Sequence, residues 1–184
     1  MIFFKESEYK GRLKENVNSL LGNSLTLKHQ LINGFSGSTL FGLIETDLDS
    51  SKIEVTDYNT RCNLEKKTQG ILIRINYRQT ILNCAIGYNS IKKITINNNE
   101  EVNSPFFFSP MWILLRMGVH IRYARYFRIY LDDYYVNRME LTILTDNGSI
   151  KLDSSGYNYY SIVQFFNQSK LISKIEIISK RKPV

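Results

Sequence analysis

Aromatic rings and guanidinium groups crowd one stretch of this 184-residue chain, residues 105–131, PFFFSPMWILLRMGVHIRYARYFRIYL. Phe106, Phe107, Phe108 and Trp112 come first, then Arg116, Arg122, Arg125 and Arg128, and no Asp or Glu falls within residues 102–131. These residue types do noncovalent chemistry: guanidinium pairs with phosphate or carboxylate oxygens, and ring faces bury apolar area or stack. Against an anionic lipid surface, Phe106 to Phe108 and Trp112 would enter the headgroup region while the arginines meet lipid phosphates. Against single-stranded nucleic acid, the arginines would contact phosphates while Tyr123, Tyr126 or Phe127 stack on unpaired bases. A transmembrane helix is excluded, because the apolar run 105–115 ends at Arg116 and a span needs about 20 apolar residues. The competing structural reading puts the stretch in the core, with residues 110–119 a buried helix and 124–136 a strand. On that strand Phe127, Ile129 and Leu131 would pack inward, while Arg128 and Tyr130 face out.

Catalytic chemistry finds little to stand on. His29 and His120 are far apart and neither lies in a metal-binding spacing, and no nucleophile elbow, Walker loop or dinucleotide fingerprint is present. Asp132 and Asp133 are adjacent, so on a strand they would point to opposite sides and could not share a proton. The expectation is a protein that is not an enzyme, with no cofactor and no metal site. Cys62 and Cys84 have no neighbouring Cys or His at ligand spacing, and two cysteines are too few for a disulfide framework, so they read as structural thiols.

The elements that must hold these groups follow from periodicity. Leu13, Val17, Leu20 and Leu21 recur at helical spacing within residues 8–32, and Gly22 and Asn23 offer a stop. After a Gly-Ser loop over 33–38, short strand-like runs follow at 39–47, 52–58, 71–77, 80–88 and 90–99, with 97–103 a polar loop. The sharpest local signal is ELTIL and SIKL flanking Asp146, Asn147 and Gly148, a tight antiparallel hairpin. Ile162, Val163, Phe165 and Phe166 then mark a helix capped by Ser155 or Asn158, and KIEIIS reads as a last strand. Many short strands, one hairpin and helices at either end point to an α+β fold on an antiparallel sheet or partly open barrel, with an N-terminal helix and a C-terminal amphipathic helix. The length and a hydrophobic content of 43% fit a single domain over 1–184.

Residues 71–96, ILIRINYRQTILNCAIGYNSIKKITI, and 140–166, ELTILTDNGSIKLDSSGYNYYSIVQFF, resemble the strand-turn-strand run and the closing hairpin and helix of bacterial PH-like domains. The resemblance covers about a third of the chain, in apolar patterns rather than catalytic motifs. It implies a small, partly open barrel capped by a helix that binds lipid, peptide or protein, with residues 97–137 as an insertion.

The formal net charge is +7, and it is unevenly distributed. Besides the four arginines, the end of the chain carries Lys170, Lys174, Lys180, Arg181 and Lys182 against Glu176 alone. Concentrated positive potential favours an anionic partner. The opening MIFFKESEYK lacks the pattern of a secretory signal, so a cytoplasmic location is expected, with peripheral membrane association as its extension. The expected function is thus a non-catalytic module engaging an anionic membrane surface or a protein partner through the basic-aromatic stretch. The alternatives are an inhibitor- or immunity-type protein-interaction module and single-stranded nucleic-acid binding.

Overall fold

A computed structural model describes residues 1–26, 37, 40–46, 60–77, 79–98, 101–167 and 171–179. The strands are β1 (Ile2–Lys5), β2 (Phe41–Thr46), β3 (Arg61–Lys66), β4 (Gly70–Tyr77), β5 (Thr80–Gly87), β6 (Ile91–Asn98), β7 (Glu101–Asn103), β8 (Tyr134–Val136), β9 (Met139–Thr145), β10 (Gly148–Ser154) and β11 (Ile175–Ser179). The helices are α1 (Gly11–Leu21), α2 (Pro110–Arg116), α3 (Ile121–Ala124) and α4 (Tyr159–Asn167). Nine strands form one open sheet in the order β1-β5-β4-β3-β2-β10-β9-β6-β11, and β7 and β8 pair separately. Every pairing in the large sheet is antiparallel except β11 with β6.

Strand alternation builds the main core from one face of the sheet. Ile71, Ile73 and Ile75 of β4 point inward beside Leu82, Cys84 and Ile86 of β5, in the register Ile71↔Ile86, Ile73↔Cys84 and Ile75↔Leu82. Ile94 and Ile96 of β6 pair with Ile143 and Leu141 of β9 and join the same cluster. A one-residue slip would turn each of these sets to the opposite face, so burial fixes the register. Ile162, Phe165 and Phe166, on one side of α4, pack into this cluster. Both thiols are buried, and burial pushes that of Cys62 up to about 12 and that of Cys84 well above its ordinary value, which suits packing groups rather than nucleophiles.

The hairpin between β9 and β10 forms as expected, with Thr145 opposite Gly148. The backbone needs positive φ at Gly148 (134°), where a side chain would be strained, while the Thr145 hydroxyl donates to the Gly148 carbonyl at 2.8 Å. A second, smaller cluster lies on the other face of the sheet, where Val17 and Leu21 of α1 meet Phe4, Leu72 and Ala85.

Several expectations change. The N-terminal helix begins at Gly11, later than expected, but it stops where a stop was expected, because Gly22 leaves the helix at φ 71° with its amide still bonded to the Asn18 carbonyl. The polar loop expected at 97–103 is partly strand, since β6 continues to Asn98 and Glu101–Asn103 pairs with Tyr134–Val136. The amphipathic helix starts at Tyr159 after a 3-10 turn over Gly156–Asn158 and is followed by β11. The run at 52–58, nearly all of the loop at 33–38, His29, and Lys180, Arg181 and Lys182 lie outside the described residues, as does Lys170.

Candidate interaction surface

Residues 104–133, between β7 and β8, form a lobe outside the nine-stranded sheet. Its base is the β7–β8 ribbon, in which Asn103 lies opposite Tyr134 and Glu101 opposite Val136. It has a small core of its own, built from buried Met111, Ala124 and Tyr134 with Leu114, Leu115, Val119, Ile121 and Val136 around them. On the side toward the sheet, a Cβ at position 156 would collide with the Asn137 carbonyl and the Val136 side chain, so Gly156 allows the lobe's exit to press against the turn leading into α4.

The lobe does not adopt the helix-plus-strand arrangement that would have buried its rings. Residues 124–136 are not one strand: α3 runs straight into a 3-10 turn over Arg125–Phe127, a second such turn covers Leu131–Asp133, and only Tyr134–Val136 is paired as strand. Phe127, Ile129 and Leu131, expected inside, are exposed together with Tyr126 and Tyr130. In α2 only Met111 is fully buried, because a seven-residue helix resting on a core this small can hide little more than one narrow stripe.

The aromatic end is held open by local chemistry. Ser109 is the N-cap of α2; its hydroxyl oxygen accepts from the Trp112 amide at 3.1 Å, and Pro110 takes the first helical position, where no amide donor is needed. Phe106, Phe107 and Phe108 precede this cap and are 62%, 58% and 67% exposed. Phe108 has a φ of 62°, the left-handed region that a bulky residue enters only under strain. Its ring contacts that of Trp112 at 5.5 Å, and the Phe107 ring lies 4.8 Å from Trp112 and 4.2 Å from Phe108. The Arg116 guanidinium lies over the Trp112 ring at 5.2 Å, so one cation stands within the aromatic cluster.

Asp133 ties this end to the rest of the lobe. Its buried carboxylate accepts from the amides of Ile129 and Tyr130, each at 2.9 Å, and from the Phe106 amide at 3.1 Å. The hydrogen bond donated by the Tyr130 amide, with those from the Phe106 and Ile129 amides and nearby Arg128, holds its carboxyl below the usual range against the opposing effect of desolvation. Asp132, its neighbour, is exposed on the 3-10 turn. The two acids therefore lie on a turn and not on the strand expected for them.

Arg116, Arg125 and Arg128 have different partners. Arg116 joins the Trp112 rings, whereas Arg125 sits among Tyr126, Tyr134 and Tyr157, with ring centroids 5.2, 6.0 and 5.8 Å away. Hydrogen bonds to Tyr126 and Tyr134 raise its pKa further. Arg128 is exposed and donates to the Tyr134 carbonyl at 2.9 Å. Arg122 lies on α3, and its side chain is outside the described set. Sequence reasoning passed over Ser109 as a cap and Asp133 as a clip. The pair Ser109-Pro110 ahead of an apolar run was the available signal for the first, whereas the partners of Asp133 are backbone amides, which leave no mark in the sequence.

Among the described residues no helix is long and apolar enough to cross a membrane, and no three His, Cys, Asp or Glu side chains gather where they could hold a metal ion. The molecule is thus a mixed α+β protein with a large, mostly antiparallel open sheet, bearing an exposed basic-aromatic lobe. Comparison with protein-family models, with curated proteins and with solved structures finds no match for this chain.

Proposed function

We propose that this protein is a non-catalytic binding module that docks on an anionic membrane surface through the lobe between β7 and β8. The observation that carries the reading is the exposure of Phe106, Phe107 and Phe108 on a strained, capped loop, next to Trp112 and the Arg116 cation. Monomeric proteins rarely leave apolar rings together in water unless a partner covers them. Met117, Tyr123, Tyr126, Ile129 and Leu131 extend the exposed apolar area along the lobe. Arg125 and Arg128 add positive charge, and no acid intervenes before Asp132. Each cation near an anionic surface contributes about 1 kcal/mol, and each large apolar side chain fully removed from water about 1.5–3 kcal/mol. Partly immersed rings and a few cations together suit reversible, peripheral association rather than permanent anchoring.

We also propose that the supporting body is a PH-like module. Strands β5-β4-β3-β2-β10-β9-β6 run as one continuous antiparallel series, with α4 following β10 and packing its apolar side on their shared core. This order supports a partly open barrel capped by a helix, and the lobe then occupies the insertion expected near 97–137.

The test is co-sedimentation with phosphatidylcholine vesicles, with and without phosphatidylserine, at low and moderate salt. Selective retention on the anionic vesicles that salt weakens is expected. A protein partner is favoured by one feature, the exposed tyrosines Tyr123, Tyr126, Tyr130 and Tyr157, which are typical of protein interfaces. A salt-sensitive one-to-one protein complex with no vesicle retention would support that second reading.

A further inference from the structure

The large sheet ends in β1 on one side and in β11 on the other. An edge strand turns a row of backbone N–H and C=O groups away from its one neighbour, ready to pair with another strand, and proteins commonly blunt such rows with charge, proline or a bulge. At β1 the edge is short and guarded by charge. The Lys5 amide donates to the Glu8 carboxylate at 3.0 Å, and a 3-10 turn over Glu6–Glu8 follows at once. β11 has little of this protection. Ile175–Ser179, IEIIS, holds no proline, and its parallel register with β6 is unbroken from Ile175↔Ile94 to Ser179↔Asn98. Its one charge, Glu176, is met by Lys93 of β6 at 2.6 Å.

Apolar side chains stand on both faces of this edge. Ile177 lies beside Ile96 of the main core and is still 44% exposed, while Ile178, on the opposite face, is 41% exposed. A strand laid alongside β11 would cover both and pair the open backbone row.

The strand whose charges fit is a second β11. When a segment pairs antiparallel with its own copy about a two-fold axis, residues equally far from the axis face each other on one side of the sheet. Centred on Glu176, the pairing would oppose two carboxylates, and centred on Ile177 it would set Glu176 against Ile178. Centred on Ile178, it sets that isoleucine against its own copy and Glu176 against Lys180, once on either side of the axis. The run Glu-x-Ile-x-Lys, residues 176–180, is thus complementary to itself when antiparallel.

We propose that β11 pairs antiparallel with β11 of a second copy of this chain, centred on Ile178, so that the two sheets join into one across a two-fold axis. The contact uses the same edge on both copies, so assembly closes at two. Pairing over one short strand with few apolar side chains makes a small interface, and the dimer should be reversible, with a dissociation constant on the order of 10 µM.

The test is sedimentation velocity of the full chain at low salt, from well below to well above that concentration. The average mass should rise from one chain towards two. Glu176→Lys opposes two lysines and Lys180→Glu two glutamates, so each single change should weaken the dimer roughly tenfold or more. The chain carrying both changes restores opposite charges across the axis and should recover most of the lost affinity. That recovery cannot come from within one chain through Lys93, which faces a lysine at position 176 in the single and the double variant alike. The Glu176 side chain is half-exposed, so these variants keep the fold, as unchanged circular dichroism spectra would verify. A single chain at every concentration, an assembly that grows past two, or a double variant no tighter than the single ones would overturn the proposal.

Discussion

Phe108 combines a cost with a use. A ring at φ 62° is strained where glycine would be relaxed, and the same ring is 67% exposed beside Trp112. Selection for stability alone favours glycine at such a backbone position, so Phe108→Gly should leave the melting temperature equal or higher while weakening vesicle retention. A fall in both would assign the ring to packing instead. The Ser109 cap acts differently, since Ser109→Ala should cost about 1 kcal/mol of stability, read by chemical denaturation, by freeing the Trp112 amide. Asp133 makes the lobe sensitive to acid. Its folded pKa is lowered, so its contribution is full above the unfolded value of about 3.9 and is lost as pH falls through the lower folded value. Emission from Trp112, the one tryptophan in the sequence, should report loosening of the lobe below about pH 4, and Asp133→Asn should show the loosened emission already at neutral pH.

Among the elements, those with clean periodicity were legible from the residues alone. The isoleucines of β4 and β6, the turn after Thr145 and the apolar positions of α4 each carried their own pattern, and the strands and the helix lie where that pattern put them. β3 was missed because its inward series of Cys62, Leu64 and Lys66 ends on a charge. Lys66 is buried only because its Nζ donates to the Phe165 carbonyl at 2.9 Å and lies 4.6 Å over that ring, a contact 99 residues distant that local reading cannot anticipate. The lobe misled for a related reason. Its aromatic density resembles core, and what keeps it outside is a scarcity of structure to cover it, which belongs to topology and not to spacing. Phe166, in contrast, sits wholly in the main core, so Phe166→Ala should cost roughly 3–5 kcal/mol and lower the cooperative unfolding of the sheet and α4 together. Unfolding in two separate steps in the unsubstituted protein would show that α4 and the sheet are not one unit.

At the scale of the whole molecule, rigidity and exposure are divided between parts. The sheet with α4 encloses an apolar core in which both cysteines are buried, while the lobe presents rings and cations on a small core anchored by β7, β8 and the close approach at Gly156. That division fits a module whose stability and recognition vary independently. Arg116→Glu changes two charge units beside Trp112, about 2 kcal/mol at an anionic surface, so vesicle affinity should fall roughly thirtyfold at low salt with the melting temperature unchanged. An equal loss on neutral vesicles would mean that Arg116 acts through packing on the ring rather than through charge.

The most direct measurement follows the emission of Trp112 as phosphatidylserine-containing or purely phosphatidylcholine vesicles are added, with brominated acyl chains as quenchers. Trp112 is the sole tryptophan and lies within the aromatic cluster of the lobe, so its signal comes from the proposed contact itself. Docking through the lobe predicts a blue shift and bromine quenching with the anionic vesicles alone, both weakened by salt. Emission that stays unshifted and unquenched, under conditions where the protein remains folded, would contradict membrane docking by this surface.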